Sequence, residues 1–113
     1  MRKAYHQELP LLRFILSSGA STAQIKALLP TLSRNQLNVI AEIAFNVLQG
    51  VIPLSQTGKE SLRHFVKQIR SIGQKKKKCA HIRESLTAGG IIALLKVSMP
   101  YVEQMLMEHE SHK

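Results

Sequence analysis

Lys59, Arg63, Lys67 and Arg70 follow one another at steps of four, four and three residues. In a helix those steps stack side chains along one side. Four consecutive lysines, Lys75, Lys76, Lys77 and Lys78, come next, and Arg83 closes the series. From Lys59 to Arg83 nine Lys or Arg stand against one acid, Glu60, so this segment holds a net +8 of the chain's +9. The excess is local, not a general solubility bias. A row of cations beside a dense lysine run suits neutralisation of a row of phosphates. Lysine is a hydrated point charge without a preferred partner geometry, so the patch points to sequence-independent contact with a polyanion and away from base reading. The candidate nucleic-acid contacts are therefore Lys59, Arg63, Lys67, Arg70, Lys75 to Lys78 and Arg83. If about six to eight phosphates are met, log K falls against log salt with a slope of roughly −5 to −7 on duplex DNA. Aromatic residues make up 4% of the chain and few lie in this segment, so stacking on single strands is not supported. Two plainer readings of the same residues are a solvated charged face and a nuclear-import signal.

Other chemistry has less to stand on. Cys79 follows the four lysines, which favour its thiolate; a bystander thiol is the simpler reading. A lone cysteine excludes an internal disulfide framework and fits an intracellular or virion-interior setting. His109 and His112 sit three residues apart in the terminal stretch, and frayed tail residues are the simpler reading than metal ligands. The acids are scattered, no Ser, His and Asp arrangement stands out, and no glycine loop is built to cradle phosphate. The expectation is a protein without catalytic activity, cofactor, metal or small-molecule substrate.

The elements that must position the cations read as helices. The composition is 44% apolar with no Trp, so a core has to be built from Leu, Ile, Val and Ala, which suits helix packing. Leu9, Leu12, Ile15 and Leu16 share one face of a short first helix. Its surroundings faintly resemble a signal peptide, but Pro10 and Arg13 break the apolar run. Ser21 with Gln24, and Ser33 with Gln36, read as capping boxes. After the second, Leu37, Ile40, Ala41, Ala44, Val47 and Leu48 keep helical spacing up to Gly50. Pro53 interrupts the connector that follows. Thr57 with Glu60 reads as a third capping box, opening a basic helix with Leu62, Phe65, Val66, Ile69 and Ile72 inward and Gly73 at its end. His81, Ile82, Ser85 and Leu86 suit another helical turn. Gly89-Gly90 reads as a break or hinge, and Ile91 to about Glu108 as a last apolar helix near whose middle Pro100 falls. The seven-residue connector carrying Pro53 is long for a helix-turn-helix pair. No uncharged apolar stretch is long enough to span a membrane. The fold class expected is all-α, a small helical domain of about four to six short helices. The division expected is a helical domain over 1–73, a basic linker with a Gly-Gly hinge over 74–90, and an apolar helix and tail over 91–113.

The order of these features resembles a known group. NQLNVIAEIAFNVLQG is followed by VIPLSQTGKESLRHFVKQIRSIG, then by KKKKCAHIRESL and by GGIIALL. This is similar to the small basic virion proteins of adenovirus-like viruses and elements (adintoviruses, polintons, adomaviruses), which are compared with adenovirus core protein X, the precursor of the mu peptide. The string from Asn46 to Leu54 and the basic stretch running into Gly89-Gly90 carry the likeness, which covers roughly residues 35–95. It implies a structural protein of the virion interior, made for assembly in the host nucleus, that lies with double-stranded viral DNA and condenses it. It also implies a protease-processing site at Ala88, Gly89 and Gly90, although Ala88 stands where the usual pattern has Gly. The arginine-rich character of the adenovirus peptide is absent. Two other readings stay open: a minor capsid or cement protein on the inner capsid surface, and a membrane-active amphipathic protein. In each, the apolar helices, residues 91–107 above all, are expected to meet a capsid protein, a second copy or a membrane.

Overall fold

In the computed structural model, which describes residues 2–17, 21–73 and 79–111 (the side chains of 2–4, 79 and 108–111 apart), local signals place most helix starts. The Ser21 hydroxyl accepts from the Gln24 amide while the Gln24 side chain accepts from the Ser21 amide, and helix α2 (Thr22–Leu28) follows. Ser33 and Gln36 repeat this reciprocal pair ahead of α3 (Arg34–Leu48). Such caps satisfy amides that the first helical turn leaves without partners, each contributing about 1 kcal/mol. Helix α1 (Arg2–Leu16) precedes them and runs through Pro10. Gly50, at φ 77°, turns the chain after α3 in a conformation that only glycine adopts at no cost.

The next start differs from the sequence expectation. Helix α4 (Gln56–Leu62) is capped by Ser55, whose hydroxyl accepts from the Gly58 amide at 3.0 Å. The Thr57–Glu60 box is not formed. The helix starts two residues early, and Gly58, buried in its first turn, leaves its amide to Ser55 and its Cα face toward Val97. Nor does the basic helix run unbroken. A 3-10 turn, Arg63–Phe65, separates α4 from α5 (Val66–Ile72). The cause is tertiary: α4 packs on the last long helix, whereas α5 packs on α3 and on α6 (Cys79–Ser85), so the chain must change direction between them.

Helix α7 (Ala88–Ser111) is the longest and runs through Pro100. It begins before the paired glycines, so Gly89 and Gly90 form its first turn and no hinge. Thr87 caps it, accepting from the Gly90 amide at 3.0 Å. Among the described residues there is no strand, and the molecule is all-α.

A single apolar cluster joins the helices. Leu12 and Ile15 of α1, Leu37, Ile40 and Ile43 of α3, Ile69 and Ile72 of α5, Ile82 of α6, and Ile91, Leu94 and Val102 of α7 are all buried in it. Each such side chain contributes roughly 1.5–3 kcal/mol by leaving water. The inward faces expected for α1 and α5 are the ones observed; on α3 the buried face is shifted, with Val39 and Ile43 inside the core and Leu48 left exposed at the helix end. The division at residues 73 and 91 has no counterpart in the packing, because α7 lies on α1, α2 and α4 and shares their core. The radius of gyration, 13.3 Å, is that of one folded domain. The apolar residues of 91–107 that were expected to face outward partners are thus largely spent inside this chain. Among the described residues no helix is long and apolar enough to cross a membrane.

Candidate nucleic-acid interface

The outward face of α4 and α5 carries the cationic row. On α5, Ile69 and Ile72 face the core, Gln68 and Ser71 face the α6 side, and Lys67 and Arg70 are left to solvent. Lys59 on α4 and Arg63 at the 3-10 turn are exposed as well. None of the four forms an ion pair or hydrogen bond among the described residues. The ion pair seen elsewhere, Arg13 to Glu103 at 3.0 Å, joins α1 to α7. Charges held on a folded surface without partners need break no existing contact to meet phosphate. The 3-10 turn resets the helical phase between Arg63 and Lys67. The four therefore form two pairs, Lys59 on α4 with Arg63 at the start of the 3-10 turn, and Lys67 with Arg70 on α5.

Lys75 to Lys78 lie outside the described residues. Their flanks are clear. Ser71 of α5 meets both His81 and Ser85 of α6, and Gln68 meets Thr87, so the chain order reverses between α5 and α6. The two helices are antiparallel, and the lysine run lies in the connection between them.

Arg83 is placed differently from the other candidates. It is half-buried on α6, and its Nη2 donates to the Leu32 carbonyl at 2.8 Å. Its Nε is buried with no hydrogen-bond partner. A guanidinium committed to a carbonyl across 51 residues of sequence is a packing element, and it is withdrawn from the phosphate-facing set. The sequence held no signal for this, because Arg83 follows Lys78 in the same charge series.

Ala88, Gly89 and Gly90, the candidate processing site, lie in the first turn of α7. Ala88 and Gly90 are buried, and Gly89 is exposed. The Gln68 carboxamide accepts from the Thr87 amide at 3.0 Å and donates to the Thr87 hydroxyl at 2.9 Å. A Cβ at Gly90 would collide with that carboxamide, and one at Gly89 would press on the Phe65 ring at 3.2 Å. The two glycines let the Gln68 carboxamide and the Phe65 ring lie close over the first turn of α7.

Sequence reasoning also missed the polar ties beneath the cationic face. Ser71 Oγ and His81 Nε2 share a hydrogen bond at 2.7 Å, and Ser71 Oγ lies 3.2 Å from Ser85 Oγ. With no carboxylate bonded to the imidazole, the arrangement fastens α5 to α6 and lacks the third member of a hydrolytic triad. Asn46 of α3, part of the string that carries the family likeness, donates to the Tyr5 hydroxyl at 3.2 Å inside the core. Burial pushes the Tyr5 phenol well above its ordinary value, and the Glu42 carboxylate adds to that. The Cys79 side chain and the His109 and His112 side chains lie outside the described residues. Among those that are described, no three His, Cys, Asp or Glu are grouped to hold a metal. The likeness to adenovirus-like core proteins rests on the residues quoted above, for no family model, curated protein or solved structure matches this chain.

Proposed function

We infer that this chain is a structural, genome-associated protein of a virion interior that binds duplex DNA without sequence preference. The observation that supports it is the outward row of Lys59, Arg63, Lys67 and Arg70, exposed and with no partner among the described residues, along α4, the 3-10 turn and α5, which lead into the lysine run. The row sits on a closed core, so its charges need no unfolding to reach a phosphate backbone. α4 and α5 each carry only seven residues, a short platform for a recognition helix in the major groove. With Lys75 to Lys78 added to the row, lysine supplies six of the eight candidate contacts, a composition that suits backbone contact better than base reading.

The test is a titration of the full chain with duplexes of unrelated sequence at several salt concentrations. Affinities should agree between sequences, and log K should fall against log salt with a slope of roughly −5 to −7. Absence of salt-dependent binding overturns the reading. Fractionation of particles into shells and cores then separates a genome-bound protein from one that lines the capsid wall.

A further inference from the structure

Among the histidines whose side chains are described, His81 and His6 are already engaged. His81 shares a hydrogen bond with Ser71 at 2.7 Å, and His6 also has a partner within the fold. His64 is exposed and has no partner among the described residues. It occupies the middle of the 3-10 turn, between the Lys59–Arg63 pair and the Lys67–Arg70 pair. A 3-10 turn advances about three residues per revolution, so His64 comes round to the side of Lys67, and Arg70 follows three residues further on. The turn is held from behind. Leu62 and Ile69 on either side of it are buried, and the Phe65 ring lies against Gly89 of α7. His64 is thereby set at the gap in the cationic row.

Histidine is the side chain whose charge changes between about pH 5 and 8, whereas lysine and arginine keep theirs throughout that range. The charged neighbours of His64 are Arg63 on the turn, Lys59 and Glu60 on α4, and Lys67 and Arg70 on α5. Of the elements packed on these, α3 carries Arg34 and Glu42, and α6 carries Glu84 beside the engaged His81 and Arg83. On α7, Lys96 lines a groove with Thr57 and Ser61, and Glu103 is paired with Arg13. Glu60 is the acid nearest in sequence, and among the described residues it forms no ion pair. A phosphate lying between the two cation pairs would meet a neutral ring at the alkaline end of the range and a further cation at the acid end. Its negative charge favours the protonated ring. We propose that His64 is a proton-linked contact of the phosphate-binding face, a role that rests on the DNA-binding reading above. The chain takes up a proton at His64 as it binds duplex DNA, and the binding tightens as pH falls.

The experiment repeats the duplex titration with the full chain at about pH 5 and about pH 8, the ends of the histidine range, each over several salt concentrations. It compares the wild type with His64→Gln and His64→Arg, whose helical circular dichroism should be unchanged because the position is exposed. Differences between variants at one pH cancel the response of every other titrating group. At the acid end, His64→Gln should bind about eight-fold more weakly than the wild type near 0.1 M salt, with a salt slope shallower by about 0.9. At the alkaline end those two should agree. His64→Arg should show the complement, matching the wild type in acid and exceeding it about eight-fold in alkali. Calorimetry in two buffers of different ionisation heat should find proton uptake by the wild type that His64→Gln lacks. Salt-dependent binding with the same pH response in the wild type and His64→Gln would overturn this proposal alone. No binding at either pH would overturn the DNA-binding reading and this proposal with it.

Discussion

Arg70 and Arg83 are thirteen residues apart, belong to one charge series, and end in opposite roles. Arg70 lies on the outer face of α5, exposed and unpaired, while Arg83 on α6 turns inward and binds the Leu32 carbonyl. The contrast extends to the whole hairpin. Its outer side carries Lys59, Arg63, Lys67 and Arg70; its inner side carries Gln68, Ser71, His81 and Arg83, each engaged with another part of the fold. Net charge counts the two sides alike. What separates them is whether the group is exposed or already held against another part of the fold, and only the outer side presents its donors to solvent.

Changing the outer side should have the largest effect, on binding alone. Replacement of Lys59, Arg63, Lys67 and Arg70 by Gln together should weaken duplex binding about a thousand-fold near 0.1 M salt and reduce the salt slope by nearly four. The melting temperature should hardly move, since exposed substitutions away from packing change stability by about 0.5 kcal/mol or less. A thermal melt and a binding titration on the same sample check both halves. Arg83→Ala should do the reverse. The Leu32 carbonyl loses its charged donor, which costs about 1.5–3 kcal/mol in denaturant unfolding, and the salt slope stays at its wild-type value. A fall in the slope by about one would return Arg83 to the phosphate-binding set.

The inner side can be probed at Gly90. Gly90→Ala should push the flexible Gln68 carboxamide off Thr87, and the two lost bonds, set against alanine's better helix propensity, should leave a net cost of about 1 kcal/mol. In a Gln68→Ala background the same change should be neutral or stabilising, since alanine is the better helix former once the carboxamide is gone. A double-mutant cycle that shows no coupling would refute the close approach. Raised proteolytic cleavage near Ala88 in Gln68→Ala, without global unfolding, would show that this carboxamide guards the first turn of α7.

The smallest effect concerns the buried phenol and appears only in alkali. Folding favours the neutral form of Tyr5, so its contribution is complete below the unfolded-chain value near 10 and is lost as pH rises above it. Wild-type stability should fall above pH ~10 by about 1.4 kcal/mol per pH unit from this group. Tyr5→Phe should be less stable at pH 7 by about 1 kcal/mol, having lost the bond with Asn46, and its curve should lack that alkaline component.

What the sequence by itself determined is what depends on near neighbours. Ser21 with Gln24 and Ser33 with Gln36 make their caps within three residues, so those helix starts were legible. The inward sets of α1 and α5 follow from helical spacing alone, and so does the pairing of Lys67 with Arg70 on one surface, whereas on α3 packing buried Val39 and Ile43 and left Leu48 exposed. Tertiary structure decided everything that depends on a partner far along the chain. Ser55 displaced Thr57 as the cap, in a register that buries Gly58 on the Val97 side. The basic helix broke at Arg63–Phe65 because its halves pack on different helices. Gly90 became a point of close approach because Gln68 arrives from α5, and Arg83 left the cationic row because Leu32 lies beside it. Local patterns record the conformational preferences of a few adjacent residues. Which donors remain free for a ligand depends on the partners that the packed chain has already supplied.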